Sequence, residues 1–293
     1  MQSPIRKAVV SWVLLAAASS WTVAAEPPPE ARRAVAAIAK LGGTVRVDPA
    51  RPNTPVIAVD LGLTGVTDAD LHLLKALPEL RELDLHRTKV TDAGLAVLRD
   101  LPHLQRLHLH DTPITDAGMA HLKGCTDLRW LNITATAVSA DGLKHLQGLT
   151  RLVGLQLGGR NATDASLAHL KGLTSLQQLH LYTCDVTDAG LEHLKGLTNL
   201  QGLHLGGTRM TDDGLKHLKH LTALRALTLG AGAGRFGGGN PVTDAGVDHL
   251  RGLTHLEALD IGHTQVTNAG VQRLLQALPT LHIEGNRSQV HRE

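Results

Sequence analysis

Leucines recur along this chain in one fixed phrase. Leu80-Arg-Glu-Leu83-Asp-Leu85 is followed by Val90-Thr-Asp-Ala-Gly-Leu95, then by Leu98 and Leu101, and the phrase begins again at Leu104. It starts at Val56, Leu80, Leu104, Leu128, Leu152, Leu176, Leu200, Leu224 and Leu256, mostly about 24 residues apart, and a partial copy begins at Leu281. In Leu-x-x-Leu-x-Leu the last two leucines alternate with polar residues, which predicts a short half-buried strand with Leu83 and Leu85 inward and Glu82 and Asp84 outward. In Thr-Asp-Ala-Gly-Leu, residues such as Thr91, Thr115, Thr187 and Thr243 are natural N-caps, and the following Asp suits the positive end of a helix. Leucines then recur every three residues, as at Leu191, Leu194 and Leu197, giving a short helical stripe. Gly124, Gly148, Gly172, Gly196 and Gly252 stand where that stripe stops. One coil buries too little apolar surface to order its own backbone, so neighbours must share the interior. The expected fold is an α/β solenoid, a right-handed horseshoe with a parallel sheet on the concave face and short helices on the convex face.

Departures from the phrase mark its edges. Residues 30–41 form an amphipathic helical pattern (Ala34, Val35, Ile38, Leu41) that Gly42-Gly43 turns into Thr44-Val-Arg-Val47, a cap for the N-terminal end. Residues 26–55 therefore read as linker and cap, 56–286 as repeats with a last strand at Leu281-His-Ile283, and 287–293 as a tail. The ninth position of each repeat faces inward but is polar: Thr88, Thr112, Thr136, Cys184, Thr208 and Thr264. It predicts a ladder of hydroxyls bonded to backbone, with an adjustment where Arg160 breaks the column. Repeat eight carries an insertion, 230–241, which either presents Arg235 and Phe236 on a rim loop or is merely tolerated. Its Gly232-x-Gly234-x-x-Gly237 is a chance match to a dinucleotide fingerprint, because Pro241 intervenes before the helix.

Residues 1–25 carry Arg6 and Lys7, an apolar run from Ala8 to Ala18, and Val23-Ala24-Ala25, which predicts a secretory signal cleaved after Ala25. Losing Arg6 and Lys7 leaves basic and acidic residues equal in number, so a nucleic-acid footprint is not expected. The two cysteines, Cys125 and Cys184, fall at different repeat positions more than two coils apart and should not pair. All 18 histidines follow the signal. Six of them (His121, His145, His169, His193, His217, His249) precede a core leucine one coil after another, which predicts lower stability near pH 5 than at pH 7.5. Asn132, Asn161 and Asn286 match glycosylation acceptors, which matter only in a eukaryotic secretory pathway.

Val-Thr-Asp-Ala-Gly-Leu followed by leucines every third residue resembles the leucine-rich repeats of secreted bacterial proteins, and is similar to the cysteine-containing repeats of eukaryotic F-box proteins. Ala37-Ile-Ala-Lys-Leu-Gly-Gly43, with Val56-Ile-Ala-Val-Asp-Leu61 after it, resembles the N-terminal cap of the bacterial group. The resemblance implies a horseshoe with a binding role. Substrate recognition for ubiquitination is what the F-box likeness implies, but residues 26–55 are too short for an F-box.

The outward strand positions are the candidate ligand face. They include Asp84, His86, Arg106, His108, His110, Trp130, Asn132, Gln156, His180, Tyr182 and His204, with Asp111 beside them. Trp130, with nothing to bury it and flanked by Arg106, His108 and Asn132, has the composition of a recognition anchor. His86, His108 and His110 with Asp84 and Asp111 are a conceivable divalent-metal set and underlie a metal-dependent enzyme as the rival reading. The favoured reading is an exported, secreted or periplasmic, non-enzymatic module that binds a protein or peptide and needs no catalytic residue, metal or cofactor.

Overall fold

The computed structural model describes residues 27–285 except 52, 160, 161 and 231–238. The expected signal, the Arg160 adjustment, the Asn161 and Asn286 acceptors, the rim loop with Arg235 and Phe236, and the tail lie outside the described residues. The first helix, α1 (Pro29–Lys40), starts at a proline, which costs nothing where no intrahelical donor is needed. It buries Ala34 and Ile38 and leads into β1 (Thr44–Val47). Ten strands then follow, one per coil: β2 (Val56–Asp60), β3 (Glu82–Asp84), β4 (Arg106–His108), β5 (Trp130–Asn132), β6 (Gly154–Gly158), β7 (Gln178–Tyr182), β8 (Gly202–His204), β9 (Ala226–Thr228), β10 (Ala258–Asp260) and β11 (His282–Glu284). All eleven lie in one sheet in chain order. β1 runs antiparallel to β2 and every later pair is parallel. The leucines behind the sheet form one continuous core, with Leu104, Leu107 and Leu109 wholly inaccessible.

The helical side is tighter than the leucine stripe suggests. Four coils hold a single α-helical turn, such as Asp188–Leu191, that passes into a 3₁₀ stretch, such as Glu192–Leu194, and the first two coils are 3₁₀ throughout. A 3₁₀ helix has three residues per turn, so a three-residue leucine period keeps every leucine on the buried line. The glycines that close these segments are not left-handed caps: Gly124, Gly148, Gly172, Gly196 and Gly252 show no positive φ, and a Cβ on any of them would meet open space. The left-handed residue stands instead just after β2 to β8 and β10, at Leu63, Arg87, Asp111, Ala135, Gly159, Thr183, Gly207 and His263. One residue later the ladder hydroxyls donate to their own coil, as Thr88 to the Leu85 carbonyl at 2.7 Å and Thr112 to Leu109 at 2.6 Å. Cys184 takes that place in its coil. Burial pushes its thiol up to about 12, and that of Cys125 up to about 11, so both are inert packing groups.

The aspartates of Thr-Asp-Ala-Gly-Leu serve the next coil. Asp68 accepts from the Thr91 amide at 2.7 Å and the Thr91 hydroxyl at 2.6 Å, 23 residues ahead. Asp92, Asp116, Asp164, Asp188, Asp212 and Asp244 repeat the arrangement toward Thr115, Ser139, Thr187, Thr211, Thr243 and Thr267. Side-chain N-caps within the coil form at Thr115, Ser139, Thr211, Thr243 and Thr267, whereas Thr187 makes none. The glycine of the motif makes room for the carboxylate: a Cβ on Gly214 would stand 2.4 Å from Asp188 Oδ1. Two departures confirm the coupling. Ala140 replaces the aspartate in one coil, and the following coil has Ser166, fully buried, in place of glycine. The first coil has no predecessor, and Asp70 at its glycine position accepts from Thr67 N and Oγ1, both at 2.9 Å.

The C-terminal end of the insertion, at Asn240, is pinned from inside the stack. Asp212 and Thr243 are 31 residues apart rather than 23 yet bond normally, at 2.6 Å. Asn240, 1% exposed, donates to the Leu205 and Leu229 carbonyls and accepts from Thr208 Oγ1, linking the neighbouring coils where a threonine would otherwise stand. The last coil carries the longer helix α2 (Asn268–Ala277) before β11.

Candidate functional site

The parallel register aligns the outward side chains in columns. Glu82, Arg106, Trp130, Gly154, Gln178 and Gly202 follow one another across β3 to β8, and beside them run Asp84, His108, Asn132, Gln156, His180 and His204. His86, His110 and Tyr182 stand two residues farther along their chains, in line with the glycine at 158. Because the leucines between them point inward, these polar groups share one face of the sheet.

Trp130 is half-buried rather than bare. Its ring lies on Gly154 of the next coil, where a Cβ would come within 2.2 Å of Cε3. On the side of the preceding coil the Arg106 guanidinium sits 5.8 Å from the ring centroid, within cation–π reach. Arg106 also stands 3.9 Å from Glu82, which takes a 2.6 Å bond from Arg46. The indole is thus seated on backbone by a run of alternating charges, with little side-chain freedom left to lose on binding.

On β7 and β8 the face becomes aromatic. His180 and His204, aligned on β7 and β8, lie 4.2 Å apart between ring centroids, and Tyr182 meets His180 edge-on at 6.2 Å. Burial, and next the neighbouring His204, push the His180 imidazole down to about 4. Burial also lowers His204, while Asp260 pulls the other way. Tyr182 and Thr134 flank Gly158, and the Thr134 hydroxyl is buried there without a hydrogen-bond partner.

The histidines expected to converge at the N-terminal end do not all do so. The groups brought within 4.8 Å of one another are Asp60, Asp84 and His86. His86 Nδ1 lies 2.7 Å from Asp84 Oδ1, and its ring covers Gly62, where a Cβ would fall 2.1 Å from Nδ1. His110 is instead 3.1 Å from the Thr134 carbonyl, which places its proton on Nδ1. Asp111 stands in the turn after β4, paired with Arg87 at 3.2 Å. Asp60 escaped the sequence reading of this cluster, although it precedes Asp84 by one repeat and was therefore in register with it.

A family model described as "Leucine Rich repeat" matches residues 100–122 and 252–275. Among solved structures, an internalin (inlF) of Listeria monocytogenes is 22% identical, with a TM-score of 0.62 over 90% of this chain and 79% of that one. An internalin C2 of the same organism is 22% identical, with a TM-score of 0.56 over 85% of this chain and all of that one. A leucine-rich-repeat protein of Leptospira interrogans is 20% identical, with a TM-score of 0.51 over 73% of this chain and 56% of that one. No curated protein matches. At these identities the likeness is one of fold. No helix among the described residues is long and apolar enough to cross a membrane.

Proposed function

We propose that this leucine-rich-repeat protein is an exported, non-enzymatic module that binds a protein or peptide on the concave sheet. The observation that carries the reading is the seating of Trp130, flat on Gly154 and beside Arg106, in a face otherwise lined by Asn132, Gln156, His180, Tyr182 and His204. Aromatic and arginine anchors held in place before binding are the usual source of affinity in protein interfaces. The acidic and imidazole groups Asp84, His86, His108 and His110 extend the face toward its N-terminal end, and the rim residues Arg235 and Phe236 belong to the same proposal.

The test is Trp130→Ala. The variant should keep the melting temperature within a few degrees and lose about 2 kcal/mol or more of affinity for a partner captured by the intact protein, as a central anchor does. Unchanged affinity overturns the concave assignment. Export is tested by sequencing the N-terminus of the native protein, which should begin at Glu26, in a secreted or periplasmic fraction. Retention of residues 1–25 instead favours an adaptor acting inside a cell, as the F-box likeness implies. The rival enzyme reading centres on Asp60, Asp84 and His86, and stoichiometric zinc after purification without a His tag favours it.

A further inference from the structure

A second surface lies on the helical side. At the end of each helical segment one position carries a cation in seven coils out of nine: Lys75, Arg99, Lys123, Lys171, Lys195, Lys219 and Arg251, with Gln147 and Leu275 the exceptions. All seven side chains are exposed. Lys75, Lys195 and Arg251 have carboxylate neighbours at 3.5, 3.3 and 3.0 Å, whereas Arg99, Lys123, Lys171 and Lys219 have no ion pair among the described residues. The half-buried histidines His121, His145, His169, His193, His217 and His249 run alongside, two residues earlier in each coil.

Asp100, Glu192 and Asp248 stand beside the strip, whereas the acids of the repeat motif are sorted to the other end of the same segments. Asp92, Asp116, Asp164, Asp188 and their equivalents open the helices and are held by the threonine or serine of the next coil. Asp92 and Arg99 close the two ends of one segment, roughly 10–14 Å apart at a helical rise of about 1.5–2 Å per residue. That exceeds the Debye length of about 8 Å at physiological ionic strength, so a ligand on the cation strip is screened from the acid column. The chain thereby presents a local row of positive groups, one in each of seven coils.

We infer that this strip binds a linear acidic polysaccharide. A row of repeated cations is complemented by a ligand that repeats its anions along one direction. Single-stranded nucleic acids are held largely by bases stacking on aromatic rings, and the Phe, Trp and Tyr residues described, Trp130 and Tyr182, are both on the sheet face. Insertion into a bilayer needs apolar side chains, and the exposed large hydrophobic among the described residues, Leu63, stands in the turn after β2, which leaves only the headgroup charges of a membrane to meet the strip. Sulfate or carboxylate groups on a sugar backbone need neither feature.

The experiment uses the full processed chain and heparin as the probe. Binding is expected at about 50 mM NaCl and should weaken about tenfold or more by about 200 mM, as counterion release requires. Lys123→Glu, Lys171→Glu and Lys219→Glu together should weaken it a further tenfold or so while the melting temperature stays put, since each side chain is exposed. The corresponding glutamine variant gives the same readout without new acids, should the glutamates disturb folding. Trp130→Ala should leave heparin binding intact, which separates this surface from the concave one. No binding by the parent chain, binding by both lysine variants as tight as the parent's, or tighter binding to nucleic acid or to phosphatidylglycerol vesicles than to heparin overturns the proposal.

Discussion

Asp188 and Gly214 illustrate how single residues hold adjacent coils together. The carboxylate satisfies both the amide and the hydroxyl of Thr211, at 2.7 Å each, and occupies the space a side chain on Gly214 would need. Asp188→Ala should cost about 1–3 kcal/mol, because it leaves polar groups of Thr211 without their acceptor. Gly214→Ser should cost about as much by forcing the carboxylate aside. Made together, the two should cost less than their sum by about 1 kcal/mol or more, since the hydroxymethyl then fills the vacated space, as Ser166 does after Ala140. Urea unfolding of the four proteins measures the coupling, and strict additivity contradicts the shared-space account.

At the scale of the element, the sheet sets the pH response. His180 on β7 is pushed down to about 4 by burial and by His204 on β8, while an unfolded imidazole sits near 6.5. The folded form therefore refuses a proton that the unfolded chain accepts. This contribution is complete above about pH 6.5 and is lost as pH falls toward about 4. The melting temperature should drop between pH 7.5 and pH 4.5, and His180→Gln should flatten that drop. An equally steep decline in the variant contradicts the assignment to His180. The strands themselves were legible in the sequence, because leucines such as Leu83 and Leu85 alternate with exposed residues and burial writes that pattern directly. The columns followed from the repeat length alone. The seat of Trp130 was not read, although Gly154 stands one coil later at the same repeat position. The left-handed turn was hidden because Leu63, Arg87, Ala135, Thr183 and His263 share it with only two glycines and an aspartate. The role of the aspartates was hidden for a different reason. Each has a sufficient local explanation at its own helix, while its actual partner lies 23 residues ahead.

For the whole molecule, stability should depend on neighbouring coils rather than on any distant contact. Removing residues 176–199, one complete unit, brings Asp164 to Thr211 and Gly214 in place of Thr187 and Gly190. The shortened protein should unfold in one transition at a modestly lower temperature by circular dichroism. Removing a half unit from the same place should abolish that transition, because every inward leucine then loses its line. A shortened protein that is unfolded in the first case contradicts the nearest-neighbour picture. The carboxylate-to-hydroxyl links also point one way along the chain, each coil except that of Ala140 reaching toward its successor, and Asp70 supplies the starting coil with the acceptor it lacks. A coil copied in tandem in the gene brings both its donor and its socket. Such an array can lengthen or shorten by whole units without a new junction being invented, and its capacity to vary in span is inherited with the motif itself.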